Sequence, residues 1–79
     1  MEIDVKVATI LTRKAKPPLE STTFRLTVPD GITAGGLVEM VGVPAALVGS
    51  ITVNKRRRPV DTVLSHGDAV AIIPSISGG

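Results

Sequence analysis

The residues best suited to chemistry are the last two of the 79-residue sequence, Gly78 and Gly79. Because glycine makes up about 7% of residues in proteins, two glycines end a chain by chance with a probability of about 0.5%. Glycine has no side chain, so such an end can thread a narrow channel and bring its carboxylate close to a phosphorus atom or a metal ion. Taken alone, the dipeptide is better explained as a flexible terminus, so its meaning depends on the elements before it.

The composition is that of one small folded domain, with 43% hydrophobic and 20% charged residues. The core must be almost entirely aliphatic, because Phe24 is the only aromatic residue. The absence of cysteine excludes a disulfide scaffold, a thiolate metal site and a cysteine nucleophile. The N-terminus lacks the pattern of a signal peptide, and no apolar run approaches the roughly 20 residues of a membrane span. We therefore expect a soluble, cytoplasmic protein that does not associate with membranes.

Two strands are predicted near the N-terminus. Apolar and polar residues alternate through 2–7 and again through 23–28, which is the period of a strand with one buried face. The basic segment 14–21 contains Pro17-Pro18 and is predicted to be a loop. The two strands are therefore expected to form a hairpin with a long basic loop, closed after the second strand by a turn at Pro29-Asp30-Gly31.

One main helix is predicted after this hairpin. Thr33 can cap its N-terminus, and Gly42 and Pro44 supply stop signals. Four apolar residues lie between them at the i, i+3, i+4 and i+7 spacing of one helical face: Ala34, Leu37, Val38 and Val41. Gly35 and Gly36 each cost a helix interior about 1 kcal/mol relative to alanine. We expect them to allow close packing of the first turn on the sheet.

The second half of the chain is predicted to complete a mixed sheet. In order, we expect a short helical turn at 44–48, a strand at 51–53 and a basic turn at 54–59. A crossing segment at 60–64 with a little helical or extended structure, counted as a weak strand, is followed by a tight turn at 66–68 and a strand at 70–73. The last of these is a continuous apolar run, typical of a strand that is buried on both faces or central, and Pro74 ends it. This order predicts an α+β domain over 1–74, with four or five strands packed on one main helix and a flexible tail at 75–79.

Motifs along the second half of the chain resemble those of the ThiS/MoaD sulfur-carrier family. They are Val53-Asn54, Pro59-Val60-Asp61-Thr62, Leu64, His66-Gly67-Asp68, Val70-Ala71-Ile72-Ile73-Pro74 and Ser77-Gly78-Gly79. The resemblance follows the element order of the whole chain and is specific over 53–79. The segment 72–79 is more similar to MoaD than to ThiS. Two departures, Lys55 where the family often has glycine and Ser75 where it often has a second proline, bear on the pathway more than on the fold.

The resemblance implies a β-grasp, ubiquitin-like fold and a carrier that works through Gly79. An adenylating enzyme similar to ubiquitin-activating enzymes would join AMP to the Gly79 carboxylate, and a sulfur donor protein would convert the adenylate to a thiocarboxylate. The carrier would deliver this sulfur to the large subunit of a molybdopterin synthase or an equivalent acceptor, for molybdenum or tungsten cofactor synthesis. The resemblance thus implies a carrier protein rather than an enzyme. No bound cofactor is expected, since ATP and Mg²⁺ would be bound by the activating enzyme.

Two sets of residues are predicted to bind these partners. The first is the start of the tail, Pro74, Ser75, Ile76 and Ser77, in which Pro74 and Ile76 are expected to be exposed and Ile76 to anchor the tail in a partner's channel. The second is the basic run Arg56, Arg57 and Arg58, which is either a solvated turn or a docking site for an acidic partner. Nucleic acid is not expected there, because no aromatic side chain adjoins the run to stack on a base.

Three other functions remain open from the sequence. They are a ThiS-like carrier for thiamin synthesis, a ubiquitin-like modifier conjugated to lysines through Gly79, and an interaction module whose tail is inert. No metal site is expected, because His66 is the only histidine and lies in a glycine-containing turn.

Overall fold

The computed structural model describes residues 1–75 as a five-stranded mixed sheet with one main helix. The strands are β1 (Glu2–Val7), β2 (Thr23–Thr27), β3 (Val48–Val53), β4 (Arg56–Arg58) and β5 (Ala69–Pro74), and the α-helices are α1 (Thr9–Thr12) and α2 (Ala34–Val41). The sheet order is β2-β1-β5-β3-β4. Only the β1–β5 pair is parallel. The predicted α+β class, with a mixed sheet and one main helix, is confirmed.

The N-terminal hairpin forms as predicted. In β1 the three apolar side chains of Ile3, Val5 and Val7 are all buried, and β1 pairs antiparallel with β2. The connection between them is more ordered than the sequence indicates, because it contains the short helix α1, in which Leu11 is buried in the core. The loop is also tied to the end of α2, since the Lys16 amide donates to the Gly42 carbonyl over 3.0 Å.

Helix α2 has the predicted ends and the predicted buried face. The Gly36 amide donates to Thr33 Oγ1 over 3.1 Å at the N-terminus, and the four apolar residues of the stripe are all buried. Gly42 ends the helix with a φ of +89°, and a Cβ there would lie 2.6 Å from the Lys16 carbonyl oxygen. The expectation for Gly35 was wrong, because its close neighbour is Val60 in a connecting segment rather than the sheet.

The basic segment after β3 was also predicted wrongly. The expected turn at 54–59 contains strand β4, which pairs antiparallel with β3, and the expected weak strand at 60–64 is reduced to one bridge between Val63 and Thr33. The chain reverses within two residues, because Asn54 and Lys55 both adopt the left-handed conformation, with φ of +53° and +70°. Such a tight reversal leads directly into an antiparallel partner strand.

Strand β5 is central, between β1 and β3. Val70 and Ile72 are buried, but Ala71 is only half-buried and Ile73 is 37% exposed. The predicted central position is therefore confirmed, whereas burial on both faces is not, because no layer covers the outer face of the sheet within residues 1–75. The short helical turn predicted at 44–48 is a 3₁₀ helix at Ala45–Leu47. Within this part of the chain, no helix is long and apolar enough to cross a membrane.

Candidate functional site

The last described residues, Pro74 and Ser75, are held against the beginning of β3. Pro74 pairs with Val48, and the Ser75 amide donates to the Leu47 carbonyl over 2.8 Å. Pro74 is partly buried, which corrects its expected exposure, because its pairing with Val48 extends the sheet by one residue. Ser75 is exposed. The other predicted tail residues lie outside the described part of the chain: Ile76, Ser77, Gly78 and Gly79.

Gly49 gives the chain room to leave the sheet. A Cβ at this position would lie 2.7 Å from both the Pro74 carbonyl oxygen and the Ser75 Cα, distances that real Cβ atoms essentially never show. The pairing of β3 with β5 shifts register between Val48 and Ser50, so Gly49 sits at an irregularity of the ladder. Sequence reasoning missed this residue, although a glycine inside a strand is a signal for such a close approach of backbone.

The three arginines of β4 are exposed along one edge of the sheet but do not face the same way. Arg57 pairs with Thr52 and shares the open face of the sheet, whereas Arg56 and Arg58 pair with Val53 and Ile51, whose side chains are buried on the helix side. None of the three arginines forms an ion pair with any other residue in 1–75. The run therefore does not form one patch on a single face of the sheet, although both Arg57 and Arg58 line the groove at this edge.

A groove of about 600 Å³ lies between α2 and the β3–β4 ribbon. We call it the α2–β4 groove; its lining residues are Gly35, Val38, Glu39, Ala45, Val48, Gly49, Ser50, Ile51, Arg57, Arg58, Pro59 and Val60. Five of its twelve lining residues are valine, isoleucine or alanine, and one of them, Val60, is 62% exposed. The groove therefore joins the base of the tail, at Gly49, to the arginines of the edge strand.

The open face of the sheet carries a second basic surface. Sheet pairing aligns Lys6, Ala71, Thr52 and Arg57 in one row across four strands, with a cation at each end and small side chains between them. Exposed Ile73 lies on the same face, two residues beyond Ala71. This face offers a shallow, partly apolar surface beside the exit of the tail.

One charged pair on the open face is already satisfied. The Arg25 Nε donates to Asp4 Oδ1 over 3.0 Å, from β2 to β1. This hydrogen bond, with the charges of Asp4 and then Glu2, raises the pKa of Arg25 above its ordinary value. Both side chains are largely exposed, so the pair contributes little to stability.

The Gly-Asp motif before β5 has a structural role. Asp68 accepts hydrogen bonds from Asn54 Nδ2 over 3.0 Å and from the Ser65 amide over 2.8 Å. Asn54 in turn accepts from the Ala69 amide over 3.0 Å. The turn after β3 is thereby fastened to the beginning of β5, which fixes where the central strand starts.

His66 belongs to the same turn region. Its Nδ1 accepts a hydrogen bond from the Glu2 amide over 3.0 Å, so the ring joins the β5 turn to β1. Within residues 1–75, no three histidine, aspartate or glutamate side chains come together as metal ligands.

Comparison with known proteins assigns the family. A family model described as Mut7-C ubiquitin matches residues 1–78. The chain belongs to the Mut7-C ubiquitin family. No curated protein matches the sequence significantly.

Solved structures similar to this Mut7-C ubiquitin domain share its fold over nearly the whole chain. SAMP1 from Haloferax volcanii, a small archaeal modifier protein, has a TM-score of 0.70 at 22% identity, with 100% of both chains covered. A putative molybdopterin converting factor subunit 1 from Pyrococcus furiosus has a TM-score of 0.72 at 21% identity, covering 96% of this chain and 99% of that one. In a Helicobacter pylori complex of molybdopterin-converting factor subunits 1 and 2, the TM-score is 0.61 at 17% identity, with both chains fully covered. The β-grasp, ubiquitin-like fold and the likeness to MoaD-type proteins, both expected from the sequence, are confirmed.

Proposed function

We propose that this Mut7-C ubiquitin protein is a sulfur carrier that works through the carboxylate of Gly79. The observation that carries the proposal is the way the tail is presented. Central strand β5 is hydrogen-bonded on both sides, and its end is fastened to Leu47 through the Ser75 amide, only four residues before Gly79. A rigid base followed by a short segment ending in two glycines suits delivery of a carboxylate into the active site of another protein.

The proposed chemistry begins with activation of a poor electrophile. A Gly79 carboxylate oxygen attacks the α-phosphorus of ATP in an adenylating enzyme, and pyrophosphate leaves. The resulting acyl-adenylate has a good leaving group, so a sulfide-level sulfur from a donor protein displaces AMP without any redox change. The product is a Gly79 thiocarboxylate, whose ionised sulfur is a strong nucleophile near neutral pH. ATP and Mg²⁺ are bound by the activating enzyme in this scheme, and dependence on ATP is consistent with the cytoplasm.

The proposed acceptor is the large subunit of a molybdopterin-type synthase. Support comes from the Helicobacter pylori structure, in which a subunit of similar fold is in complex with subunit 2 of the converting factor. We assign Ile76 and Ser77 to the partner's channel, with Ile76 as the apolar anchor, and Pro74 and Ser75, which are fastened to β3, to contacts at the mouth of that channel. Molybdenum or tungsten cofactor synthesis is the pathway proposed for the delivered sulfur. The chain then acts as a small subunit, and the catalytic groups belong to its partner.

A second candidate function is protein modification. It is favoured by the likeness to SAMP1, a small archaeal modifier protein. In that function the Gly79 adenylate passes to a lysine amine, and AMP leaves as an isopeptide bond forms. Both functions need the same activation step, so they diverge only at the nucleophile that accepts the Gly79 acyl group.

Intact-mass measurement separates these functions. The 79-residue protein is incubated with a candidate adenylating enzyme, ATP and a sulfur source, beside a control that lacks Gly79. The carrier proposal predicts a mass increase equal to sulfur replacing oxygen, only in the chain that has Gly79. Higher-mass lysine conjugates without that shift would favour the modifier. No change with several such enzymes would overturn both.

A further inference from the structure

The α2–β4 groove lies beside the point where the described chain ends, and it combines apolar walls with arginine. We infer that this groove binds the chain's own C-terminal segment, with Ile76 against the apolar walls and the Gly79 carboxylate at Arg58. The inference goes beyond the proposed function, because it requires an apolar side chain and a terminal carboxylate but no sulfur chemistry. It gives the tail a resting position on its own domain.

The first support is the starting point of the segment. Ser75 lies directly against Gly49, where a Cβ would stand 2.7 Å from the Ser75 Cα, and Gly49 is itself part of the groove lining. The chain therefore reaches the mouth of the groove before the segment 76–79 begins. A segment that starts at a binding site has a high effective concentration there, so even weak contacts suffice to hold it.

The second support is reach. Along β3, Ile51 is two residues from Gly49, and β4 places Arg58 opposite Ile51. At about 3.3 Å per residue along a strand and about 4.8 Å between strands, the Cα of Arg58 lies about 8 Å from that of Gly49. Four extended residues span about 13 Å. The terminal carboxylate can therefore reach the Arg58 guanidinium without any movement of the sheet.

The third support is chemical complementarity. Ala45, Val48 and Val60 line the groove and are exposed or partly exposed, so they offer an apolar surface to Ile76, and exposed Val60 would be covered by it. Arg58 lines the β4 side, and guanidinium groups bind carboxylates through two parallel hydrogen bonds. Glu39 lines the α2 side and repels a carboxylate, which directs the terminus toward β4. The volume of about 600 Å³ lies within the range of about 300–1,000 Å³ found for ligand sites.

The occupancy of the groove can be measured in the full-length protein by a spin label. Because the chain has no cysteine, Ser77→Cys provides a unique attachment site for a nitroxide in the tail. The inference predicts paramagnetic broadening of the Gly49 and Val60 amides, whereas the Thr27 amide, at the far end of the opposite edge strand, keeps its intensity. Uniformly weak broadening over the whole surface would overturn the inference.

Charge variants test the carboxylate contact without a label. Arg58→Gln is predicted to shift the Gly78 and Gly79 amide signals and to reduce the ratio of docked to undocked tail by about two- to five-fold. Arg13→Gln removes the same charge from an exposed loop position and is the matched control. Ile76→Ser should shift the Gly49 and Val60 amides in the same direction as Arg58→Gln. If the Gly49 and Val60 amide signals are unchanged in both variants and shift only when a partner protein is added, the groove belongs to the partner and the inference is overturned.

This outcome is independent of the sulfur chemistry. A chain whose Gly79 is never converted to a thiocarboxylate can still show the label contacts, and a competent sulfur carrier can lack them. Failure of either proposal is therefore distinguishable from failure of the other.

Discussion

Gly49 and Ser75 approach so closely that a Cβ on residue 49 would stand 2.7 Å from the Ser75 Cα. The contact joins the beginning of β3 to the base of the tail, and it coincides with the register shift between Val48 and Ser50. The position of Ser75, at the base of the tail, is thus set by a residue that is remote from it in sequence and that has no side chain.

Gly49→Ala should push the tail base away from β3. The added methyl group cannot fit unless backbone moves, so we expect the free energy of unfolding to fall by about 1–3 kcal/mol. The Ser75 amide donates to the Leu47 carbonyl in the wild-type protein, and in the variant it should exchange its hydrogen faster. Chemical denaturation and hydrogen exchange measure the two effects. Ser50→Ala, at the neighbouring position, is the control and should change neither; wild-type behaviour of Gly49→Ala would contradict the contact.

Lys55→Gly should stabilise the domain. Lys55 has a φ of +70°, a conformation that costs a residue with a Cβ about 1–2 kcal/mol. Glycine removes this strain but loses more backbone entropy on folding, so a net gain of about 0.5–1 kcal/mol is expected. Thermal denaturation measures it. Lys55→Ala removes the same charge while keeping the strained φ, and it should not raise the melting temperature; an equal rise in both variants would point to charge instead.

Asn54 and Asp68 should be energetically coupled. Each fastens the turn after β3 to the start of β5, and Asp68→Ala should cost about 1–2 kcal/mol because two donors lose their partner. Asn54→Gly removes the side chain while still tolerating the φ of +53°. A double-mutant cycle by urea denaturation should give a coupling energy of at least about 0.5 kcal/mol. Simple additivity of the two variants would show that the side-chain bond between them does not contribute.

Ile76→Asp should slow adenylation and leave the fold intact. The residue follows the last described position, and we propose that a partner's channel buries its side chain. Loss of that burial, with a charge in its place, should reduce the rate of pyrophosphate release by about ten-fold or more. Ile76→Val keeps most of the apolar surface and should act nearly as wild type. Unchanged kinetics for Ile76→Asp, at an unchanged melting temperature, would remove Ile76 from the proposed channel.

Much of the fold could be predicted because its signals are local. The cap at Thr33, the stop at Gly42 and the apolar stripe between them each follow from one short stretch of sequence, and all are present in the structure. The alternation in β1 and the apolar run of β5 identified two of the three inner strands in the same way. Periodicity is reliable where one face of an element packs on the core.

Strand β4 could not be predicted in this way. Arg56 to Arg58 show no alternation, because an edge strand of three residues buries no side chain and depends on backbone pairing alone. Its location depends on the left-handed conformation of Lys55, a residue type that rarely adopts it. The strand was predicted at the apolar residues 60–64 instead. In the structure this segment forms the Val63–Thr33 bridge, and the Val60 carbonyl accepts a hydrogen bond from the Gly35 amide.

The candidate site, too, has features that follow from local sequence and features that depend on contacts between distant residues. The sequence identified the tail and the basic run by residue type, but the split of the arginines between two faces depends on pairing register, which connects residues far apart in the chain. The role of Gly49 depends on its contact with Ser75, which lies 26 residues further along the chain. Such relationships exist only after the sheet has assembled.

The position of β5 between β1 and β3 has a mechanical consequence. A pull applied to the C-terminus acts along the strand, so it loads the hydrogen bonds to both neighbouring strands in shear and does not peel them apart one at a time. Forced unfolding is governed by the rate of unfolding, and simultaneous rupture of two ladders makes that rate low. We therefore expect the domain to stay folded when the partner that we propose pulls on the tail and releases it again.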